Sequence, residues 1–195
     1  MRMDPRQKKA YRAMLDLIGL KEIPGPEDHP WITEGWKVVG ADWYDDDETA
    51  WCGMATGRVT KEAGLPIPAG GMSVQARAWH EREWGEKVPL ETAPQGAIIV
   101  LQNHVAFLHE LVRDAKGNIT GFKLLGGNQS NRINIQTYGL KTSGRHKFLS
   151  ARVWPASVQP PTQEPTITGK PRTTQWGVVV FALIASAIAW LGFGG

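Results

Sequence analysis

Cysteine is nearly absent from this sequence, and Cys52 is the only one among the 195 residues. A single cysteine cannot close an intramolecular disulfide, so the chain does not need an oxidising compartment in order to fold. The scarcity also excludes a zinc site built from several cysteines. A lone cysteine is commonly a small buried apolar side chain. It gains chemical interest where a histidine and a second polar group accompany it.

An N-terminal apolar stretch is missing as well. Residues 1–9 are polar and no apolar segment follows them, so we expect no secretory signal peptide. The formal net charge of +3 and the pI near 9.1 favour anionic surfaces such as cell-wall polymers or phospholipid. Lysine and arginine are nevertheless spread along the chain and no nucleic-acid-binding motif is present, so we expect no nucleic-acid partner.

Charged side chains are absent from residues 176–193, where Val, Ala, Ile, Leu, Phe and Trp dominate. At about 1.5 Å per residue, a helix of this length just spans a hydrocarbon core of about 30 Å. Trp176 and Trp190 lie near its ends, where indole rings favour the membrane interface. The segment therefore predicts a transmembrane helix, with a buried core helix as the alternative.

The composition divides the chain into three parts. We expect a folded domain over residues 1–154, a linker rich in proline and threonine over residues 155–173, and a membrane anchor over residues 174–195. Lys170 and Arg172 precede the apolar segment, and no positive side chain follows it. The positive-inside rule therefore predicts that the N-terminal domain stays on the cytoplasmic side.

Within the first part, periodicity and turn signals predict helices followed by antiparallel strands, which is an α+β fold. Pro5 is suited to the first position of a helix with Asp4 as its cap, and Thr49 is a plausible cap for a helix that carries Cys52. Besides the helix that begins at Pro5, we predict helices over residues 51–63 and 74–84 and a short helix or packed turn near Trp31. The predicted strands cover residues 97–101, 104–111, 119–125 and 133–138.

Three segments of this fold carry candidate chemistry. Cys52 begins a predicted helix, His104 begins a predicted strand, and Asn128 follows a Gly-Gly turn after another strand. A thiolate can attack a carbonyl carbon, an imidazole can move the proton, and an amide can orient the imidazole. The N-terminus of a helix favours the thiolate, and the backbone N–H of Cys52 can donate to an oxyanion.

Several neighbouring residues leave alternatives open. Gln129 competes with Asn128 for the orienting role, and Trp51 either walls a substrate cleft or packs in the core. The acidic run that ends at Glu48 has three interpretations: a solvated loop, a calcium site that uses Asp45 and Asp47, or electrostatic stabilisation of an imidazolium. No other cofactor is expected.

Taken together, these segments resemble a phage-type branch of the papain-like peptidoglycan hydrolases, the CHAP and NlpC-like cysteine amidases and endopeptidases. The resemblance covers about residues 8–154. It is carried, in order, by Ile18-Gly19-Leu20-Lys21-Glu22-Ile23-Pro24-Gly25, His29-Pro30-Trp31-Ile32, Glu48-Thr49-Ala50-Trp51-Cys52-Gly53, Ala76-Arg77-Ala78-Trp79, Pro94-Gln95-Gly96-Ala97-Ile98-Ile99-Val100, His104-Val105-Ala106-Phe107 and Leu125-Gly126-Gly127-Asn128-Gln129-Ser130-Asn131.

The resemblance implies a papain-like domain with N-terminal helices packed on an antiparallel sheet. It implies that Cys52 is the nucleophile, His104 the base and Asn128 the orienting residue, with Trp51 and Gln129 beside the substrate. The substrate would be peptidoglycan, cut at an amide bond during phage lysis or entry, as by an endolysin. The anchor would then lie in the host inner membrane or a virion membrane, with the enzyme on the cytoplasmic or virion-interior side.

Two further classes of function are compatible with the same sequence. A non-catalytic, membrane-anchored virion or wall-binding protein could keep the fold without the activity. A protease or transglutaminase that acts on protein would use the same catalytic groups.

Overall fold

The computed structural model describes residues 2–156. The described residues all belong to one compact unit. Among residues 2–156, none of the helices has the length and apolar character needed to cross a membrane. The predicted anchor lies outside the described residues, as does all of the predicted linker except its first two residues.

The first two helices have clear end signals. Helix α1 (Pro5–Asp16) begins as predicted, because the Asp4 side chain accepts the Arg6 backbone N–H at 2.8 Å. Helix α2 (Pro30–Val39) begins after His29, whose side chain accepts from the Trp31 N–H, and it ends at a left-handed Gly40. The segment around Trp31 is therefore a helix of ten residues rather than a packed turn.

Helix α3 (Cys52–Glu62) matches the predicted helix closely, but the predicted cap is wrong. Trp51 occupies the cap position and makes no side-chain capping bond. The backbone N–H and hydroxyl of Thr49 both donate to the Asp46 carboxylate, at 2.5 and 3.0 Å, so Thr49 closes its own turn instead.

The long helix predicted over residues 74–84 is also wrong. A 3₁₀ turn (Met72–Val74) and the short helix α4 (Ala78–Glu81) replace it. Gln75 separates the two with an extended backbone (φ −86°, ψ 118°), and Glu83 takes a positive φ of 51° just beyond α4. A second 3₁₀ turn (Leu90–Thr92) precedes the central strands.

Six antiparallel strands form one sheet, which confirms the α+β class with helices and an antiparallel sheet. Their spatial order is β1-β6-β2-β3-β4-β5. The strands are β1 (Glu86–Val88), β2 (Ile98–Leu101), β3 (His104–Arg113), β4 (Ile119–Gly126), β5 (Asn134–Gly139) and β6 (Phe148–Val153).

Apolar side chains fill both faces of the sheet. Along β3, Val105 and Phe107 belong to the cluster that includes the helices, whereas Ala106 and Leu108 belong to a second cluster on the other face. Helix α3 packs against β3, with the Thr56 hydroxyl donating to the Val105 carbonyl at 3.4 Å. This packing brings the start of α3 to the start of β3.

Candidate functional site

Cys52 is the first residue of α3, where the backbone N–H groups have no partner within the helix. Its side chain is buried, with 7 % of the residue exposed. Gly53 lies directly against the Ser73 and Val74 carbonyls, and a Cβ at this position would overlap them. The glycine therefore lets the Cys52 end of α3 rest on the 3₁₀ turn.

His104 is the first residue of β3 and is 5 % exposed. Its Nε2 lies 3.1 Å from the Oε1 of Gln129. Within residues 2–156, no hydrogen bond joins His104 to Asn128. Gln129, rather than Asn128, therefore makes the hydrogen bond to His104.

The Gln129 side chain is held by more than the histidine. Its Nε2 donates to the Leu124 carbonyl at 3.2 Å, to the Asn134 carbonyl at 2.6 Å and to the Asn134 Oδ1 at 2.9 Å. Because these partners are acceptors, the amide orientation is fixed and Oε1 is left to accept. Nε2 of His104 must then carry the hydrogen, and Nδ1 is the ring nitrogen with a free lone pair.

The turn after β4 explains why Gln129 rather than Asn128 points inward. Asn128, Ser130 and Asn131 all take positive φ values between 52° and 59°. Gln129 lies between them, 2 % exposed, and its backbone N–H donates to the Arg132 carbonyl at 3.0 Å. The turn thus directs the Gln129 side chain towards His104, Leu124 and Asn134. The motif Gly126-Gly127-Asn128 did not predict this.

Cys52 and His104 share two neighbours. The backbone N–H of Val105, next to His104, stabilises the Cys52 thiolate, and the Tyr138 hydroxyl lies within electrostatic range of the Cys52 sulfur. The Tyr138 ring stacks on His104, with centroids 5.3 Å apart and planes 22° from parallel. The structure therefore brings both predicted catalytic residues to one buried region, and Tyr138 is a site residue that the sequence analysis missed.

The stack continues towards the loop between β5 and β6. His146 meets the Tyr138 ring edge-on, at a centroid distance of 5.1 Å. The loop is tied to the turn before His104, because the Asn103 backbone N–H donates to the Arg145 carbonyl at 3.0 Å. Positive charge on Arg145 disfavours protonation of His104, which is buried beside it.

Burial dominates the electrostatics of the pair. It raises the pKa of the Cys52 thiol, while the backbone N–H groups of Val105, Gly53 and Cys52 act in the opposite direction. Burial also lowers the pKa of His104 from 6.5 to about 4. The pair therefore rests as a neutral thiol and a neutral imidazole, and the start of α3 does not outweigh burial to give the thiolate that the sequence predicted.

Trp51 lies in the core rather than on a cleft wall. It is fully buried, and its indole N–H donates to the Glu22 Oε1 at 2.7 Å. A Cβ on Gly127 would overlap the Trp51 ring, so that glycine lets the turn after β4 cover the indole. Burial is also the main reason that the pKa of Glu22 is raised.

The acidic loop before α3 is only partly solvated. Asp47 is fully buried, and its Oδ2 accepts the backbone N–H groups of Ile23 and His29 at 2.9 and 2.8 Å. The carboxylates of Asp47, Asp28 and Glu48 lie close together, each with one oxygen within 4.8 Å of the others. Asp45, the other residue of the predicted calcium pair, is not part of this group among the described residues.

No protein-family model, curated protein or solved structure matches the chain. The resemblance to cell-wall hydrolases therefore rests on the sequence motifs alone.

Proposed function

We propose that this protein is a cysteine amidase or endopeptidase that hydrolyses an amide bond of peptidoglycan through a thioester intermediate. One observation carries the proposal. The backbone N–H of Val105 lies at the Cys52 sulfur, and the preceding residue, His104, is a neutral imidazole whose Nε2–H is held by the Gln129 amide. This leaves the His104 Nδ1 lone pair available as a general base, which is the arrangement that thiol hydrolases require.

The proposed reaction has two stages. As the Cys52 sulfur attacks the carbonyl carbon, the thiol proton moves to Nδ1 of His104. The N–H of Cys52, which has no partner within the helix, donates to the developing oxyanion. The C–N bond then breaks, and His104 gives the proton to the leaving amine. In the second stage His104 takes a proton from water as the water oxygen attacks the thioester carbon. The C–S bond then breaks, the carboxylic acid leaves, and His104 returns the proton to the Cys52 sulfur.

Peptidoglycan is proposed as the substrate on the strength of the sequence resemblance over about residues 8–154. The positive net charge supports it, because cell-wall polymers are anionic. Under the proposed membrane anchoring, an enzyme held on the cytoplasmic side would reach the wall only after membrane damage. One held inside a virion membrane would be delivered at entry.

The central experiment compares lysis of purified sacculi by the wild-type chain with lysis by Cys52→Ala and His104→Ala. Each substitution should lower activity on the order of 10³-fold or more. The two residues act as a unit, so the double variant should be scarcely worse than either single one. Mass spectrometry of the released muropeptides identifies the bond that is cut. Near-wild-type lysis by a stably folded Cys52→Ala variant would contradict the mechanism.

The burial of Cys52 and its raised pKa favour one alternative, a non-catalytic wall-binding protein with a structural cysteine. Alkylation by iodoacetamide distinguishes the two. In the hydrolase, His104 accepts the thiol proton, so His104→Gln should slow the labelling of Cys52 at neutral pH. In a structural role, the labelling rate should not depend on His104.

A further inference from the structure

Three carboxylates converge just before the nucleophile helix. Asp28 lies in the loop before α2, and Asp47 and Glu48 lie in the loop before α3. Each offers one oxygen, and these oxygens all lie within 4.8 Å of one another. The loops are already joined here, because the Asp47 backbone N–H donates to the Asp28 Oδ1 at 2.9 Å.

The second observation is a buried oxygen without a partner. Asp47 is fully buried, and Oδ2 already accepts two backbone N–H groups. Within residues 2–156, its Oδ1 receives no hydrogen bond. A buried carboxylate oxygen without a partner is costly, and its presence on a residue of an acidic group indicates a ligand that it would bind.

Ion pairs to these three carboxylates are absent from the described part of the chain. Among residues 2–156, no lysine, arginine or histidine forms an ion pair with Asp28, Asp47 or Glu48. Glu22 adds a fourth carboxylate close enough to feel the charges of Asp47 and Glu48. Like charges at such separations repel one another, and an added positive charge would relieve that repulsion.

We infer that Asp28, Asp47 and Glu48 form a binding site for a divalent cation, and that the cation is calcium. The donors are all oxygen, with no nitrogen or sulfur, which disfavours zinc. Calcium accepts irregular sets of six to eight oxygens, so water can complete three carboxylates, whereas magnesium demands a near-ideal octahedron. The site goes beyond the proposed hydrolysis and does not depend on it.

The cation would act on the fold next to the nucleophile. It would tie the loop before α2 to the loop that leads into Cys52, four residues after Glu48. It would also reduce the net charge of the three carboxylates from −3 to −1. We expect calcium to stabilise the protein and to order the entrance of α3.

The test uses the full chain in detergent, first treated with EDTA and then titrated with CaCl₂ or MgCl₂. Calcium at millimolar concentration should raise the melting temperature by several degrees, and calorimetry should show one bound calcium per chain. Asp28→Asn and Glu48→Gln should each abolish most of the shift. Asp45→Asn is the matched control, because it removes the same charge from the same loop outside the group, and it should keep the shift.

Terbium gives a second readout, since the Trp51 indole lies against Glu22 beside the group. Excitation of tryptophan should produce terbium emission that calcium displaces, and Glu48→Gln should lose it. Both measurements are made without substrate and should be unchanged in Cys52→Ala, so failure of the hydrolase proposal leaves them intact. No calcium-dependent shift, an equal shift with magnesium, or equal losses in Asp45→Asn and Asp28→Asn would overturn the inference.

Discussion

The Oε1 of Gln129 accepts the Nε2–H of His104 at 3.1 Å, while the opposite end of the same amide donates to Leu124 and Asn134. The histidine is therefore oriented by a side chain that cannot rotate without losing several hydrogen bonds at once. This makes the proton-free Nδ1 a consequence of the turn after β4 rather than of His104 itself.

This contact predicts the ranking of two neighbouring amides. Gln129→Ala should lower lytic activity on the order of 10²-fold, because the imidazole loses its fixed tautomer and orientation. Asn128→Gly is the matched control, since glycine accepts the positive φ of this position. It should keep most of the activity. Lysis rates at equal melting temperature provide the comparison, and greater damage by Asn128→Gly would return the orienting role to Asn128.

Tyr138 offers a second comparison, because its ring and its hydroxyl have separate neighbours. Tyr138→Phe keeps the stack on His104 and removes only the hydroxyl near Cys52, so we expect activity to fall by about 10-fold or less. Tyr138→Leu also removes the stack on His104, so its activity should fall further, by about 10²-fold. Equal activities of the two variants in a sacculus lysis assay would show that the ring does not position His104.

The buried imidazole should make stability depend on pH. The pKa of His104 is about 4 in the folded protein and 6.5 ordinarily. As the pH falls below 6.5, His104 becomes protonated in the unfolded chain but stays neutral in the folded protein. The free energy of unfolding therefore decreases progressively until about pH 4. The difference of 2.5 pH units, at about 1.4 kcal/mol each, amounts to about 3 to 4 kcal/mol, of which about 3 kcal/mol is lost between pH 7 and pH 4.

Urea unfolding at pH 7 and pH 4 measures this loss, with His104→Gln as the reference. The reference retains the other groups near this site, including Arg145, Tyr138 and His146, whose pKa is also lowered. The wild type should lose about 3 kcal/mol more than the variant between the two pH values. Parallel losses in both proteins would show that His104 is not the group responsible.

Some local parts of this fold could be predicted from the sequence, although the helix over residues 74–84 and the Thr49 cap could not. Asp4 and Pro5 define the start of α1 by capping chemistry alone, and the apolar run of β2 is buried on both faces as its composition indicates. The strand β6 could not be predicted so directly. It contains the buried polar residues Ser150 and Arg152, and it lies between β1 and β2 through pairings distant in sequence.

The site was predictable in its residue types and less so in its geometry. Cys52 and His104 come together because α3 packs on β3, which the order of the segments indicates. Gln129 depends instead on three left-handed residues in one turn, and Tyr138 depends on stacking between β3 and β5, which β4 separates in the sheet. Neither feature leaves a periodic signal in the sequence.

The apolar segment at residues 176–193 carries a prediction from the sequence alone. Deletion of residues 173–195 should leave a soluble and active hydrolase, whereas the full chain should partition with membranes and resist carbonate extraction. The positive-inside rule predicts that protease added outside spheroplasts spares the catalytic domain. A full-length chain in the soluble fraction would contradict the anchor, and digestion from outside would contradict its orientation.

Gly53 has no functional group, yet its position beside the Ser73 and Val74 carbonyls leaves no room for any side chain. In a saturation library selected for lysis, position 53 should therefore tolerate replacement as poorly as position 52. The two positions would separate only under selection for abundance, where Cys52→Ala survives and Gly53→Ala does not. Selection for lysis alone would therefore make Gly53 look like a catalytic residue, although its intolerance of substitution comes from the close contact between α3 and the 3₁₀ turn.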